Sequence, residues 1–124
     1  MLIVEDEQVM RGVMVAALSD CGFGPLGVAD LGGAREALAR EVPTLVVLDL
    51  SLEGEFGAEL LAELALRPDG PCVLVCSAFP LADVVAARFG VELLRKPFDL
   101  DDLATAAERA IAAGRRPSMP TKTR

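Results

Sequence analysis

Four short stretches place reactive side chains directly after apolar runs. Leu2-Ile3-Val4 is followed by Glu5-Asp6-Glu7, and Leu45-Val46-Val47-Leu48 by Asp49. Cys72-Val73-Leu74-Val75-Cys76 is followed by Ser77-Ala78, and the run at 91–94 leads to Lys96-Pro97. Brought together, these stretches supply carboxylates, one hydroxyl and one ammonium. Grouped carboxylates repel one another, and one pKa rises unless a cation joins them. Oxygen donors of this kind select a hard ion, and Mg²⁺ takes one or two carboxylates alongside waters and phosphate oxygens. A lysine and a hydroxyl beside that ion would hold the remaining phosphoryl oxygens. The chemistry indicated is a phosphoryl group carried by a carboxylate, where catalysis is mostly positioning and charge neutralisation.

Such a cluster exists only if the intervening elements bring the four run ends to one place. The apolar runs alternate with helical patterns. Residues 7–21 carry Val9, Met10, Val13, Ala17 and Cys21 at helical spacing, and Gly22 supplies a stop. Residues 26–29 follow Gly24-Pro25 and suit a sheet edge. Asp30 can cap a helix to about Arg40. The uninterrupted run at 45–48 fits a central strand covered on both faces. Helices are expected over 57–67, 81–89 and from Asp99 to about Ala113, and strands over 72–76 and 91–94, with Glu92 facing out. Five β–α repeats imply a doubly wound parallel sheet with helices on both faces. Ligands bind beyond the carboxyl ends of such strands, which is where every complementary group falls.

The formal net charge of −7 opposes nucleic-acid binding and suits a cation or a basic partner surface. The chain has no histidine, which excludes Ser-His and Cys-His pairs and histidine zinc sites. Cys21, Cys72 and Cys76 lack metal-type spacing and are read as reduced, with Cys72 and Cys76 as small core hydrophobes. No apolar run approaches the ~18 residues of a membrane span, and no basic segment precedes one as in a secretory signal. A cytoplasmic location is therefore expected. One domain is expected over 1–113, with 114–124 as a polar tail or linker whose residues are disordered.

Glu5-Asp6, Asp49, Ser77-Ala78 and Lys96-Pro97-Phe98 match, in order and spacing, the signature of response-regulator receiver domains of two-component signalling. Gly57, eight residues after Asp49, also resembles the glycine that follows the phosphorylation loop. The resemblance covers nearly the whole chain. It implies a flavodoxin-like (β/α)5 fold with strand order 2-1-3-4-5. It implies that Asp49 accepts a phosphoryl group from the phosphohistidine of a sensor histidine kinase or a histidine phosphotransfer protein. Mg²⁺ would be held by Asp6, Asp49 and the backbone carbonyl of Ser51, with Glu5 acting through water. Ser77 and Lys96 would bind phosphoryl oxygens, and Lys96-Pro97 would be a cis peptide. The switched surface would be the fourth helix, fifth strand and fifth helix. Neither nucleic acid nor membrane is an expected partner of this domain, and a homodimer stays open.

Three positions depart from the family. Phe79 is bulkier than the residue many members carry, and with Ser51 is expected to tune water access. Glu53 stands where many relatives have proline, so a less rigid loop is expected after Asp49. Leu93 replaces the aromatic that usually reports activation, so output would use another rearrangement of the last two β–α units.

Each group also has an ordinary reading. The acids at 5–7 suit a solvated helix start, Asp49 suits a cap, Ser77 a turn, and Lys96 a surface charge. Their coincidence at one rim favours the phosphoacceptor. Two other functions compete. One is an unphosphorylated receiver-like interaction module, with Leu93 in its favour. The other is an aspartyl-nucleophile phosphatase, which resembles the haloacid-dehalogenase class but has Ser51 where that class expects a second aspartate. The domain itself would be no enzyme beyond catalysing its own phosphorylation and dephosphorylation.

Overall fold

The computed structural model describes residues 1–120 of the chain. The main elements, labelled here in chain order, are β1 (Leu2–Val4), α1 (Gln8–Asp20), β2 (Leu26–Val28), α2 (Leu31–Arg40), β3 (Leu45–Leu48), α3 (Ala58–Ala65), β4 (Cys72–Ser77), α4 (Ala82–Phe89), β5 (Glu92–Arg95) and α5 (Leu100–Ala112). The five strands form one parallel sheet in the order β2-β1-β3-β4-β5, as expected. A two-residue antiparallel ladder, Ser51–Leu52 against Glu55–Phe56, interrupts the connection between β3 and α3.

Alternation along the strands divides the core in two. Val4, Leu48 and Val75 face α2, α3 and α4, meeting Leu31, Leu61 and Ala86. Ile3, Val47 and Leu74 face α1 and α5, meeting Met14, Leu18, Leu103 and Ala107. Helices on both faces account for the unbroken burial of β1, β3 and β4. Helix starts follow local rules: Glu7 accepts from the Met10 amide and Asp30 from the Gly33 amide. Asp99 occupies the cap position of α5 but makes no side-chain cap hydrogen bond.

Three expectations need correction. The last strand begins at Glu92, because Val91 is still engaged by the end of α4, its amide donating to the Ala86 carbonyl beside left-handed Gly90. Glu92 does not point to solvent: its Oε1 accepts from Arg109 Nε of α5 at 2.8 Å. The chain after α5 is not disordered at its start, where it is hydrogen-bonded to the domain. The Arg115 carbonyl accepts from the Val73 amide, Arg116 Nε donates to the Gly70 carbonyl, and the Ser118 amide donates to Phe89. Backbone donors at the start of β4 and carbonyls at the end of α4 are thereby satisfied. The remainder of the expected tail, 121–124, lies outside the described residues.

No helix among the described residues is long and apolar enough to cross a membrane. All three cysteines are free; Cys72 and Cys76 are buried, whereas Cys21 is exposed. Burial also pushes the Cys76 thiol far above its ordinary pKa, keeping it protonated. A thiol reagent such as Ellman's is therefore expected to titrate Cys21 alone in the native protein and all three after denaturation. Rapid native reaction at Cys76 would contradict this packing.

Candidate functional site

The strand order sets β1 beside β3 and β4 beside β5, so their carboxyl ends share one rim. Two bonds lock the register there: the Asp49 amide donates to the Val4 carbonyl at 3.1 Å, and the Lys96 amide to the Ser77 carbonyl at 3.1 Å. Glu5 (1 % exposed) and Asp49 (5 % exposed) are buried, and Asp6 is half-buried beside them. Lys96 reaches across the end of β4. Its Nζ donates to Glu5 Oε1 and, at 2.9 Å, to Asp49 Oδ2. Lys96-Pro97 is a cis peptide.

Each carboxylate also receives one backbone N–H. Glu5 Oε2 accepts from Glu7, Asp49 Oδ1 from Ser51 at 3.1 Å, and Asp6 Oδ2 from Glu53 at 2.8 Å. Burial raises the Glu5 pKa above the ordinary glutamate value, against the opposing effects of Lys96 and the Glu7 amide. Burial by itself would lower the Lys96 pKa, but its bonds to Glu5 and Asp49 outweigh that and raise it. Lys96 thus stays charged between two acids.

One ammonium against three carboxylates leaves the cluster negative. Glu5, Asp6 and Asp49 each offer an oxygen, and these oxygens lie within 4.8 Å of one another. A donor set made only of oxygens, with excess negative charge, fits a small hard cation. Ser51 lies against Asp49 through its amide. Ser77 is at the same rim and fully buried, but its Oγ accepts from the Phe79 amide at 3.1 Å. Among the described residues it makes no hydrogen bond to Asp49 or Lys96. The structure therefore brings Glu5, Asp6, Asp49, Ser51 and Lys96 together and leaves the Ser77 hydroxyl turned toward its own loop.

Removing Lys96 tests the charge balance. Lys96→Met leaves Glu5 and Asp49 buried without a counter-charge. Breaking a buried pair costs roughly 3–5 kcal/mol, and partial exposure of the lysine reduces this to about 2–3 kcal/mol. Urea unfolding with chelator present is expected to show that loss. Adding Glu5→Gln, which neutralises one stranded acid, is expected to recover part of it.

Several contributors have no signature in the sequence pattern. The guanidinium of Arg11 donates to the carbonyls of Glu5 (2.9 Å) and Asp6 (3.4 Å), holding the acidic turn. Its stem lies over Gly27 of β2, where an added Cβ would come within 2.9 Å of Arg11 Cγ. Phe79 stacks obliquely on Phe56 at 5.2 Å, joining the loops after β3 and β4. The loop after Asp49, where the family's proline is missing, forms a short antiparallel ladder. Its ladder is pinned where Glu55 Oε1 accepts from the Leu31 amide at 3.0 Å. The Glu53-Gly54 pair between polar and apolar neighbours is the one sequence cue to that turn.

Fold and rim define a doubly wound α/β domain with an acidic, lysine-bridged cluster at its ligand-binding edge. Residues 1–108 match the family described as the response regulator receiver domain. The chain is 33 % identical over 115 residues to the nitrogen assimilation regulatory protein NtrX of Azorhizobium caulinodans, covering 89 % of this chain and 25 % of that protein. It is 39 % identical over 106 residues to the Regulator of RpoS of Escherichia coli, covering 82 % and 32 %. The crystal structure of the receiver domain of NtrX from Brucella abortus superposes with a TM-score of 0.82 at 33 % identity, covering 90 % of this chain and 97 % of that one. The chain belongs to the response regulator receiver domain family, whose function is that of a phosphoacceptor in two-component signalling. It spans about a quarter to a half of the length of the curated relatives it matches.

Proposed function

We propose that Asp49 is the phosphoacceptor and that a phosphohistidine of a sensor kinase or phosphotransfer protein is the donor. The observation that carries this reading is the Lys96 ammonium bridging Asp49 and Glu5 at the rim. Asp6, Asp49 and the Ser51 carbonyl would hold Mg²⁺, with Glu5 acting through water. Bound there, Mg²⁺ supplies positive charge to the phosphoryl oxygens and to the attacking carboxylate. Transfer breaks the donor's P–N bond and forms a P–O bond to Asp49, and the P–N electron pair returns to the imidazole nitrogen. The Ser51 amide and Lys96 keep the Asp49 carboxylate oriented during approach. Lys96 then pairs with a phosphoryl oxygen, and the Ser77 hydroxyl exchanges its bond with the Phe79 amide for another.

The phosphoryl group adds charge and acceptor oxygens at a place already linked to α4 through the Ser77–Phe79 loop. Release of that loop is the step that would reach the face made by α4, β5 and α5. Leu93, half-buried against the α2–α4 side of the core, replaces an aromatic there. The protein would act in the cytoplasm, as the sites of its proposed donors require, with no turnover of an external substrate.

Acetyl phosphate is the simplest donor for a test. Phosphoprotein resolved on a phosphate-affinity gel is expected with Mg²⁺ and not with chelator. Equal labelling in chelator, or sustained hydrolysis of a phosphate ester, would contradict the proposal.

A further inference from the structure

The loop after Asp49 carries a feature that a proline-containing version could not have. Ser51 pairs with Phe56 and Leu52 with Glu55, so Glu53-Gly54 forms the turn, with Gly54 at φ 71°. At the tip, the Glu53 amide points across to Asp6 and donates to its Oδ2 at 2.8 Å. The hairpin is fixed at its far side by Glu55 on the Leu31 amide, and at its base by the Gly57 amide on the Leu50 carbonyl at 2.8 Å. The donor is therefore delivered by an anchored piece of backbone. The Glu53 side chain itself is exposed. Proline has no N–H, so the same position filled by proline leaves Asp6 without this partner.

We propose that the Glu53 backbone amide is a positioning group for Asp6, engaging one carboxylate oxygen and so fixing the side chain beside Glu5 and Asp49. This rests on the reading of Asp6 as a Mg²⁺ ligand. A half-exposed aspartate on a turn otherwise samples several rotamers, and binding a cation must freeze one of them. An N–H bonded to an ionised carboxylate is one of the stronger hydrogen bonds available. It need not break when the second oxygen takes up the cation. Asp6 is thus oriented before the cation arrives.

Backbone and side chain can be separated by substitution. Glu53→Ala keeps the amide, whereas Glu53→Pro removes it at a turn position that proline tolerates well. Calorimetric titration of the intact chain with Mg²⁺ is expected to give wild-type affinity for Glu53→Ala. For Glu53→Pro it is expected to give roughly tenfold weaker binding, the lower end of what outer donors to metal ligands contribute. The phosphorylation rate of Glu53→Pro at saturating Mg²⁺ is expected to stay within about twofold of wild type, because binding and not the transfer step is affected. Equal affinities for the two variants would overturn the proposal, and so would equal losses in both. Amide exchange on the metal-free protein supplies a second reading that does not depend on how Glu53→Pro folds. Exchange at Glu53 is expected to accelerate in Asp6→Ala, and exchange insensitive to that change would overturn the proposal. If the wild type binds no Mg²⁺ at all, the metal reading beneath it fails as well; if wild type and Glu53→Pro bind alike, only the positioning role fails.

Discussion

Asp49→Asn is expected to abolish phosphorylation by acetyl phosphate, a fall on the order of 100-fold or more, while leaving the fold intact. The amide keeps the size of the carboxylate and an oxygen to accept from the Ser51 amide. What it loses is the negative charge and the nucleophilic oxygen pair. Lys96 retains Glu5 as its counter-ion, so the buried ammonium is not stranded. Thermal unfolding is therefore expected to change little, and intact-mass measurement is expected to show no phosphoryl adduct. Labelling of Asp49→Asn at the wild-type rate would move the acceptor to another acid, with Asp6 and Glu5 the nearest candidates.

Gly57→Ala is expected to be the most damaging single-methyl change in the chain. A Cβ at Gly57 would lie 2.2 Å from the Asp49 carbonyl oxygen and 2.9 Å from Leu50 Cα. The conformation is not at issue, since Gly57 sits at φ −59° and ψ −22°, where any residue is comfortable. The obstacle is backbone, so no side-chain rotation relieves it. Overpacking costs typically about 1–3 kcal/mol and more where the backbone must shift, so Tm is expected to fall by on the order of 10 °C. The displaced peptide is the one that carries Asp49, so phosphorylation should slow even in the fraction that stays folded. A variant with unchanged Tm and unchanged labelling would show that the approach of α3 to the phosphorylation loop is looser than described.

The parts legible in the sequence were those written in side chains. Continuous apolar runs at 45–48 and 72–76 read as central strands because helices cover both faces, and Asp30 read as a cap because its oxygen is a local donor's partner. Four of the five strand ends could be read for an acid, hydroxyl or amine, and the sheet order then set four of these side chains within one cluster. Less legible was whatever depends on main-chain groups. The hairpin at 51–56 is held by backbone bonds and a two-residue turn, which leave only Gly54 as a trace. Glu53 was read through its side chain, as the loss of a rigid proline, whereas its consequence lies in the amide that proline lacks. Nothing in the sequence sets Arg11 apart, because its role depends on Gly27 of a neighbouring strand leaving room for its stem. Glu92 read as solvent-facing because its partner, Arg109, lies seventeen residues on. The same holds for 115–118, whose polar composition hides hydrogen bonds to Gly70, Val73, Phe89 and Ala110.

Chemical trapping of the acyl phosphate tests the central claim most directly. Borohydride reduces an aspartyl phosphate to homoserine, which peptide mass spectrometry locates to a single position. After treatment with acetyl phosphate and Mg²⁺, homoserine is expected at residue 49 and at no other acid. Homoserine at residue 6, or none anywhere in protein that is demonstrably folded and metal-loaded, would contradict the assignment of Asp49 as the group that carries the phosphoryl.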